Sequence, residues 1–527
     1  MLTFFVVIPV LIASFLFVFS SNKAARVLAI AIQSLIVLFA FYLFMQTKEG
    51  DIVNVVGSYR GFTGITLLAT NICAAFIFLT SIIFQAASIY SFRESNSRTF
   101  WFLLFTLQAV LTGLFLTRDF FNIFVLVEVG TVIVTILAMY YRRRRQVFFG
   151  MVYLMLNVVA MVFFLFGLGH LYMIAGAFDM FYVSVALAEA DPAYLTIPYA
   201  LMMTGIAFKC AIIPIFSFVP KVKLYPGAPS AVVAILSGVQ IKTNIFLFMQ
   251  LQEVFGDFAN TDFFLILGIV VSMTAVFMAI CQTGIKMILA YHTISQVGLI
   301  IIGLSAGNDY SYLGGLFHII SHGVFKSALF FTAGIIYHSY GTMDVYKIRG
   351  VLRRMPWVGA ATIAAVLGIT GAPFFIGSIS KYFISAEASP LVEWAVNIIS
   401  LGTIISFIKY SGMLFGKSDL QGDYPKPDRW RLAPCLGLAA VCLFGGVFGQ
   451  ALVRFMFVTD SSISLTGYAQ KAGTFFISVA IGLCIYKFVV NGNKTLKRIG
   501  QLNLGFKGVC ASMGAFFGII LVASALM

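Results

Sequence analysis

Charge is what this sequence has least of. Only 10% of its 527 residues are Asp, Glu, Lys or Arg, where a soluble domain carries about 25%, so the chain is not built to face water. Cysteine is sparse as well. The seven, Cys73, Cys210, Cys281, Cys435, Cys442, Cys484 and Cys510, form no Cys-x-x-Cys pair. That argues against an iron–sulfur cluster or a zinc ribbon and leaves most of them as apolar filler. No Gly-rich phosphate loop leads into a helix, which argues against a nucleotide-driven pump. The first twenty residues are apolar but carry no basic residue ahead of them; Lys23 and Arg26 follow instead. A secretory signal has the opposite order, so this segment reads as a retained first helix.

What the chain does have is apolar length. Hydrophobic residues make up 61% of it, in runs near the roughly twenty residues needed to cross a hydrocarbon core of about 30 Å. Backbone amides in lipid must be satisfied within their own segment, so such runs read as helices; a barrel needs shorter, alternating segments. The expected class is an all-α polytopic membrane protein. Sixteen spans are predicted: 3–20, 27–46, 64–92, 99–117, 119–141, 147–168, 195–219, 226–251, 262–281, 285–305, 311–339, 355–384, 390–415, 433–457, 470–490 and 508–527. The net charge of +15 then reads as topology rather than nucleic-acid binding. Basic residues fall on the odd-numbered connections: Lys23 and Arg26, Arg93 and Arg98, Arg142 to Arg145, Lys221 and Lys223, Lys286, then Lys347 to Arg354, Lys417 to Arg431 and Lys487 to Lys507. The even connections hold only Lys48, Arg60, Arg118, Arg454 and Lys471. Positive residues mark the cytoplasmic side, so both termini are expected outside a cell membrane. The longest connection, about His170 to Tyr194, is expected to be an acidic outer loop.

Five basic residues remain once the connections and span edges are counted, Lys209, Lys242, Lys326, Lys381 and Lys409, and only one acid, Glu128, falls well inside a span. An ionisable group at mid-bilayer costs about 2.5–3.5 kcal/mol or more, so such groups face a bundle interior and mark ion or proton paths. For Lys409, near a span end, snorkelling is the competing reading. Glu128 stands nine residues from Asp119, about 13.5 Å deep in a helix. Lys209 and Lys381 lie in spans that also hold Pro214 and Pro373, and proline interrupts helices. Paired interrupted helices in two halves point to an inverted-repeat transporter, with Lys242 and Lys409 as further equivalents. In GLFHIISHGVFKSALFFTAG, His318, His322 and Lys326 are spaced by four and share one helix face, about 12 Å long. Imidazole titrates near neutrality, as a proton wire requires. A zinc pair of histidines is disfavoured by the missing acid and the added lysine. His292 and His338 near span ends, and His170 at a loop edge, are weaker candidates.

These segments resemble, in order over about residues 65 to 420, the antiporter-like subunits shared by respiratory complex I, Mrp-type cation/proton antiporters (their D component above all) and membrane-bound energy-converting hydrogenases. The resemblance matches Glu128 to the glutamate of span five, Lys209 to the lysine of broken span seven and Lys242 in SGVQIK to that of span eight. It also matches His318, His322 and Lys326 to the stripe of span eleven, Lys381 to the lysine of span twelve, and GIKMILAYHTISQVG to the span-ten signature. It implies a core of fourteen helices with two inverted five-helix repeats and broken helices seven and twelve. The expected units are 1–98, the repeats 99–251 and 262–416, and two extra helices within 433–527. Two departures stand out. FVPKVKLYPGAPS has Lys221 and Lys223 where relatives carry an acidic residue and a histidine, and the lead-in Gln282-Thr-Gly-Ile-Lys286 lacks an acid near Gly284.

The resemblance implies a proton- or sodium-translocating subunit of a multisubunit membrane complex, partnered by other membrane subunits including further antiporter-like ones. It also implies no cofactor or metal, and no redox site of its own. A non-pumping anchor for a redox complex and a stand-alone secondary transporter are the alternatives.

Overall fold

A computed structural model describes residues 1–19, 23–57, 64–94, 97–212, 225–417, 427–502 and 505–525. Thirteen helices among them are long and apolar enough to cross a membrane. The chain enters through α1 (Phe4–Phe19) and α2 (Lys23–Gln46), then forms an antiparallel hairpin of β1 (Ile52–Val56) and β2 (Ile65–Ala69). The expected third span therefore starts late. Thr70 caps α3 (Asn71–Ser91) by accepting from the Cys73 amide, and the β-branched run before it pairs as strand. Next come α4 (Arg98–Leu116), α5 (Phe120–Ala138), α6 (Arg144–Ala175), α7 (Met180–Glu189) and α8 (Pro192–Cys210). The expected outer loop from His170 is thus mostly helical: α6 runs on to Ala175, with His170 exposed inside it, and α7 follows.

Beyond the undescribed residues 213–224, α9 spans Ser230–Phe258 with a π-helical turn at Leu236–Gln240. Then follow α10 (Thr261–Cys281), α11 (Ile285–Ser305) and α12 (Asp309–Tyr340). A short α13 (Val351–Arg354) precedes two half-helices, α14 (Pro356–Thr370) and α15 (Ile376–Ser385). Last come α16 (Pro390–Ser411), α17 (Arg429–Val447), α18 (Gly449–Phe457), α19 (Leu465–Val490), α20 (Lys494–Ile499) and α21 (Phe506–Ala525). The most apolar eighteen residues of α12 are all buried, whereas only 11% of those in α19 are. The centre of the molecule is therefore α12, sheathed by α9 and α11.

One local motif occurs twice. The start of α5 pairs with the residues after α6: the Phe120 amide donates to the Phe178 carbonyl (2.9 Å), and the Met180 amide to that of Arg118 (2.8 Å). The start of α11 pairs in the same way with the residues after α12, Ile285 to Met343 (2.8 Å) and Val345 to Thr283 (2.9 Å). Both α6 and α12 are 32 residues long and end on a left-handed glycine, Gly176 and Gly341, each at φ 66°. Asp179 and Asp344 each accept at 3.0 Å from the amide two residues on.

Candidate functional site

Four of the buried lysines, Lys209, Lys242, Lys381 and Lys409, lie near places where helices stop or loosen, whereas Glu128 and Lys326 stand mid-helix in α5 and α12. α8 ends directly after Lys209: the Ala211 amide donates to Phe208, that of Ile212 to Ala207, and Ala211 takes φ 62°. The break thus begins before Pro214, which lies outside the described residues, as do Lys221 and Lys223. Between α14 and α15 the same five-residue hydrogen bond recurs, from the Ala372 amide to Leu367, with Gly371 at φ 81°. Pro373 falls in this gap, as the sequence suggested. The lysines lie on opposite sides of their breaks. Lys209 closes the half-helix before its own, while Lys381 reaches back from α15 to the last carbonyls of α14, Ile369 (3.2 Å) and Thr370 (3.0 Å). Those oxygens carry the negative end of the helix dipole, so an ammonium there is stabilised.

Lys209 and Glu128 form the first cluster. The Lys209 ammonium lies 3.7 Å from Glu128 Oε1 and donates at 2.7 Å to Thr131 Oγ1, one turn along α5. At that distance the attraction is about 4 kcal/mol before desolvation at an effective dielectric of about 20. No hydrogen bond to Glu128 Oε1 forms among the described residues, so the pair is close but not locked. The lysine side chain is 4% exposed and the glutamate 25%, the latter on a flank that also exposes Val125, Val129 and Val132. Asn244 of α9 donates to the Lys209 carbonyl at 3.2 Å, which ties the first cluster to the second.

The second cluster is a continuous run of polar contacts. Lys242 donates to the Ser237 carbonyl in the π-helical turn. The Ser237 hydroxyl pairs with Thr293 Oγ1 at 2.7 Å, and Thr293 donates to the Leu289 carbonyl at 3.1 Å. That same carbonyl accepts from Lys326 at 2.6 Å. Lys242 on α9 is thereby bridged to Lys326 on α12 by the carbonyl and hydroxyl of Ser237 on α9 and by the Thr293 hydroxyl and Leu289 carbonyl of α11. Gly238 lets these helices meet, because a Cβ there would stand 2.3 Å from Ser327 Oγ and 3.4 Å from the Gly323 carbonyl. Gly238→Val is expected to push α9 off α12, costing about 1–3 kcal/mol, as overpacking does. Gly437→Ala, with nothing within 4 Å of the added carbon, is expected to be neutral. Thermal unfolding of the detergent-solubilised protein checks the contrast.

The stripe on α12 is real and fully buried. The His318 and His322 rings are 6.4 Å apart and inclined by only 6°. His318 Nδ1 pairs with Ser380 Oγ at 2.8 Å and Nε2 with Gln296 Oε1 at 3.0 Å, so the far end of the stripe touches α15 next to Lys381. His322 has no hydrogen-bond partner at either ring nitrogen among the described residues. Lys409 stands apart. Its ammonium gathers the carbonyls that end α10, Ala279 at 3.2 Å, Ile280 at 2.6 Å and Gln282, which is how a cation caps a helix. It is in the last turn of α16, whereas Lys242 lies mid-span, so the two are not equivalent in depth.

Several participants are missing from the sequence reading. Lys286, counted there as a loop charge, is buried in the first turn of α11 and donates to the Ala228 carbonyl at 3.1 Å. His292, placed near a span end, is buried mid-helix with its ring 4.7 Å from Phe407. Thr131, Ser237, Thr293, Gln296 and Ser380 carry no charge to betray them, although four of these five sit within one turn of a residue already singled out. His338, in the last turn of α12, is exposed.

Known proteins resemble this chain in sequence and in fold. Residues 117–408 match the family model described as NADH:quinone oxidoreductase/Mrp antiporter, TM. The chain is 26% identical over 419 residues, 77% of its length and 84% of the relative's, to the D component of the Na(+)/H(+) antiporter of Alkalihalophilus pseudofirmus. It is 29% identical over 364 residues, 66% of its length and 72% of the relative's, to the N component of the NADH-quinone oxidoreductase of Desulforudis audaxviator. In fold it superimposes on a chain of the Mrp complex from a Dietzia species, with a TM-score of 0.77 at 22% identity, covering 91% of this chain and 99% of that one. With more than half its length matched, and its buried charges on the matched helices, the chain belongs to the NADH:quinone oxidoreductase/Mrp antiporter transmembrane family.

Proposed function

We propose that this chain is the ion-translocating, antiporter-like subunit of a larger membrane complex, carrying protons or sodium along its buried Glu, Lys and His residues. The observation that carries this reading is the polar bridge from Lys242 through the carbonyl and hydroxyl of Ser237, Thr293 and the Leu289 carbonyl to Lys326. Two buried ammonium groups held close by polar groups of three helices are an expensive way to build an anchor. The Leu289 carbonyl accepts from both sides and passes no proton, so transfer between the lysines runs through water beside this bridge. While Glu128 is ionised beside Lys209, it favours the charged lysine. When the pair separates, the ammonium loses the stabilisation from the Glu128 carboxylate and its proton is easier to pass on. The relay then runs by Lys242 and Lys326 to His322, His318 and Lys381. Lys409 acts as a helix cap beside it.

The exposed flank of Glu128 supports partner subunits, further antiporter-like ones included, since a carboxylate facing hydrocarbon is costly. It counts against a stand-alone transporter. The duplicated contacts of α5–α6 and α11–α12 support the two inverted repeats, 99–251 and 262–416. The alternation of basic residues supports sixteen spans in the cell membrane with both termini outside. The chain has no redox site of its own in this reading, and the driving energy comes from an ion gradient or the partner subunits.

The test uses sealed inverted vesicles holding the intact complex. A sodium pulse is expected to produce a pH change that is absent from vesicles lacking this chain; partners carrying flavin or iron–sulfur clusters with no ion flux would favour the anchor. Tags placed before Met1 and after Met527 are expected to be reachable from outside intact cells. Labelling that reaches Arg142 to Arg145 but neither terminus would overturn the topology.

A further inference from the structure

Helix α19 lies beyond the residues matched by the family model, and it is barely packed along most of its length. One stretch is an exception. Tyr468 Oη accepts from the Phe374 amide at 2.9 Å and shares a second 2.9 Å hydrogen bond with Ser378. Phe374 is the bulky residue held at φ 68° in the gap between α14 and α15, a conformation that side chains of its size seldom adopt. Helix α19 therefore pins the interruption from which Lys381 reaches back. Three residues on, Lys471 forms a 2.6 Å ion pair with Glu393 in the first turn of α16. Between these anchors lies a cavity of about 60 Å³, lined by Lys381, Ser378, Ser385, Asn397, Ser400 and Lys471 among others. A water molecule needs about 10–15 Å³ of such space and two to four polar partners, so the cavity has room for a short file of water. Its inner wall is the buried Lys381. At its rim sits an ion pair whose side chains are 27% and 50% exposed.

We propose that α19 forms the outer gate of the relay: the Lys471–Glu393 pair closes a water-holding cavity through which Lys381 exchanges its proton with the outer side. The step balances simply. A Lys381 Nζ–H bond breaks, the proton joins a cavity water as hydronium, and the neutral amine is reprotonated from the His318 side through Ser380 or water. An exposed ion pair suits a gate because it is weak. It biases closure by about threefold to fivefold and opens readily, while Tyr468 keeps the cavity wall in place. The proposal rests on the reading of Lys381 as a proton carrier, and its test has a readout that does not depend on flux.

In the assembled complex, Ser378→Cys places a thiol in the cavity wall, and labelling by a membrane-impermeant thiol reagent added to intact cells reports access from outside. The rate is corrected by the complex retaining Ser378, which accounts for the natural cysteines. Labelling is expected to be slow with the ion pair present and about threefold to fivefold faster in Glu393→Gln or Lys471→Gln, as loss of an exposed pair predicts. It should slow again in the charge-swapped Glu393→Lys/Lys471→Glu protein. Equal rates in all four backgrounds, or labelling only from the cytoplasmic side, would overturn the gate. Gated labelling in a complex that moves no ions would instead leave the gate standing and sink the translocation reading.

Discussion

Glu128→Gln is expected to abolish ion translocation while leaving the amount of assembled complex unchanged. The amide matches the carboxylate in size and removes only its charge. Little folding energy is at stake: Glu128 Oε1 makes no hydrogen bond among the described residues, and the side chain is a quarter exposed. Thr131 still accepts from Lys209 at 2.7 Å, so the lysine keeps its place. It loses the anion 3.7 Å away that favours its charged form, and the cycle of pairing and separation cannot run. Loss of about a hundredfold or more in flux is the scale set by removing a positioned proton-transfer group. Glu128→Asp keeps the charge one methylene shorter and should retain partial flux. Vesicle flux normalised to assembled complex measures both, and wild-type flux in the Gln protein would remove Glu128 from the mechanism.

His322→Phe is expected to stop flux to a similar degree without harming the fold, because the phenyl ring replaces an imidazole that has no protein hydrogen bond to lose among the described residues. His322 bridges His318 and Lys326, whose positions are about 12 Å apart along the helix, too far for direct transfer. His318→Phe should behave differently. It strands Gln296 Oε1, its partner at 3.0 Å, and leaves Ser380 Oγ with only the Gly377 carbonyl; losing the partner of a buried polar group costs about 1–3 kcal/mol. Its flux defect therefore comes with lower thermal stability. A zinc site makes a different forecast: both histidines would matter equally, a chelator would mimic their loss and Lys326→Met would be tolerated. Flux and thermal unfolding of the two histidine variants, repeated with chelator, tell these apart.

Much of this was legible in the sequence because membrane helices leave a strong signal. A twenty-residue apolar run has few alternatives, and a lysine inside one is conspicuous, so Glu128, Lys209, Lys242, His318, His322, Lys326, Lys381 and Lys409 stood out before any geometry. Strand signal is weaker. The five residues of β2 are apolar enough to be absorbed into the neighbouring span, which is why the predicted third span begins at 64 rather than Asn71, and β1 falls in the connection before it. The connectors were harder still. Thr293 and Ser237 are ordinary hydroxyl residues that look like helix filler, and only the 2.7 Å contact between them shows that they join two lysines. Lys286 failed for another reason: a lysine at a predicted span edge is read as solvent-facing, yet its ammonium turns inward to Ala228. Lys409 is the converse, a buried lysine whose three carbonyl partners make it a helix cap beside the proposed relay.

The most direct measurement of the relay is ion flux through sealed vesicles containing the Lys326→Met complex, normalised to assembled protein. Lys326 is where the run from Lys242 meets the histidine stripe, and methionine keeps its length and burial while removing the ammonium that donates to Leu289 at 2.6 Å. Flux at the level of vesicles lacking the chain, with assembly intact, is the predicted result. Flux equal to that of the unaltered complex would contradict the relay, whatever the histidine variants did.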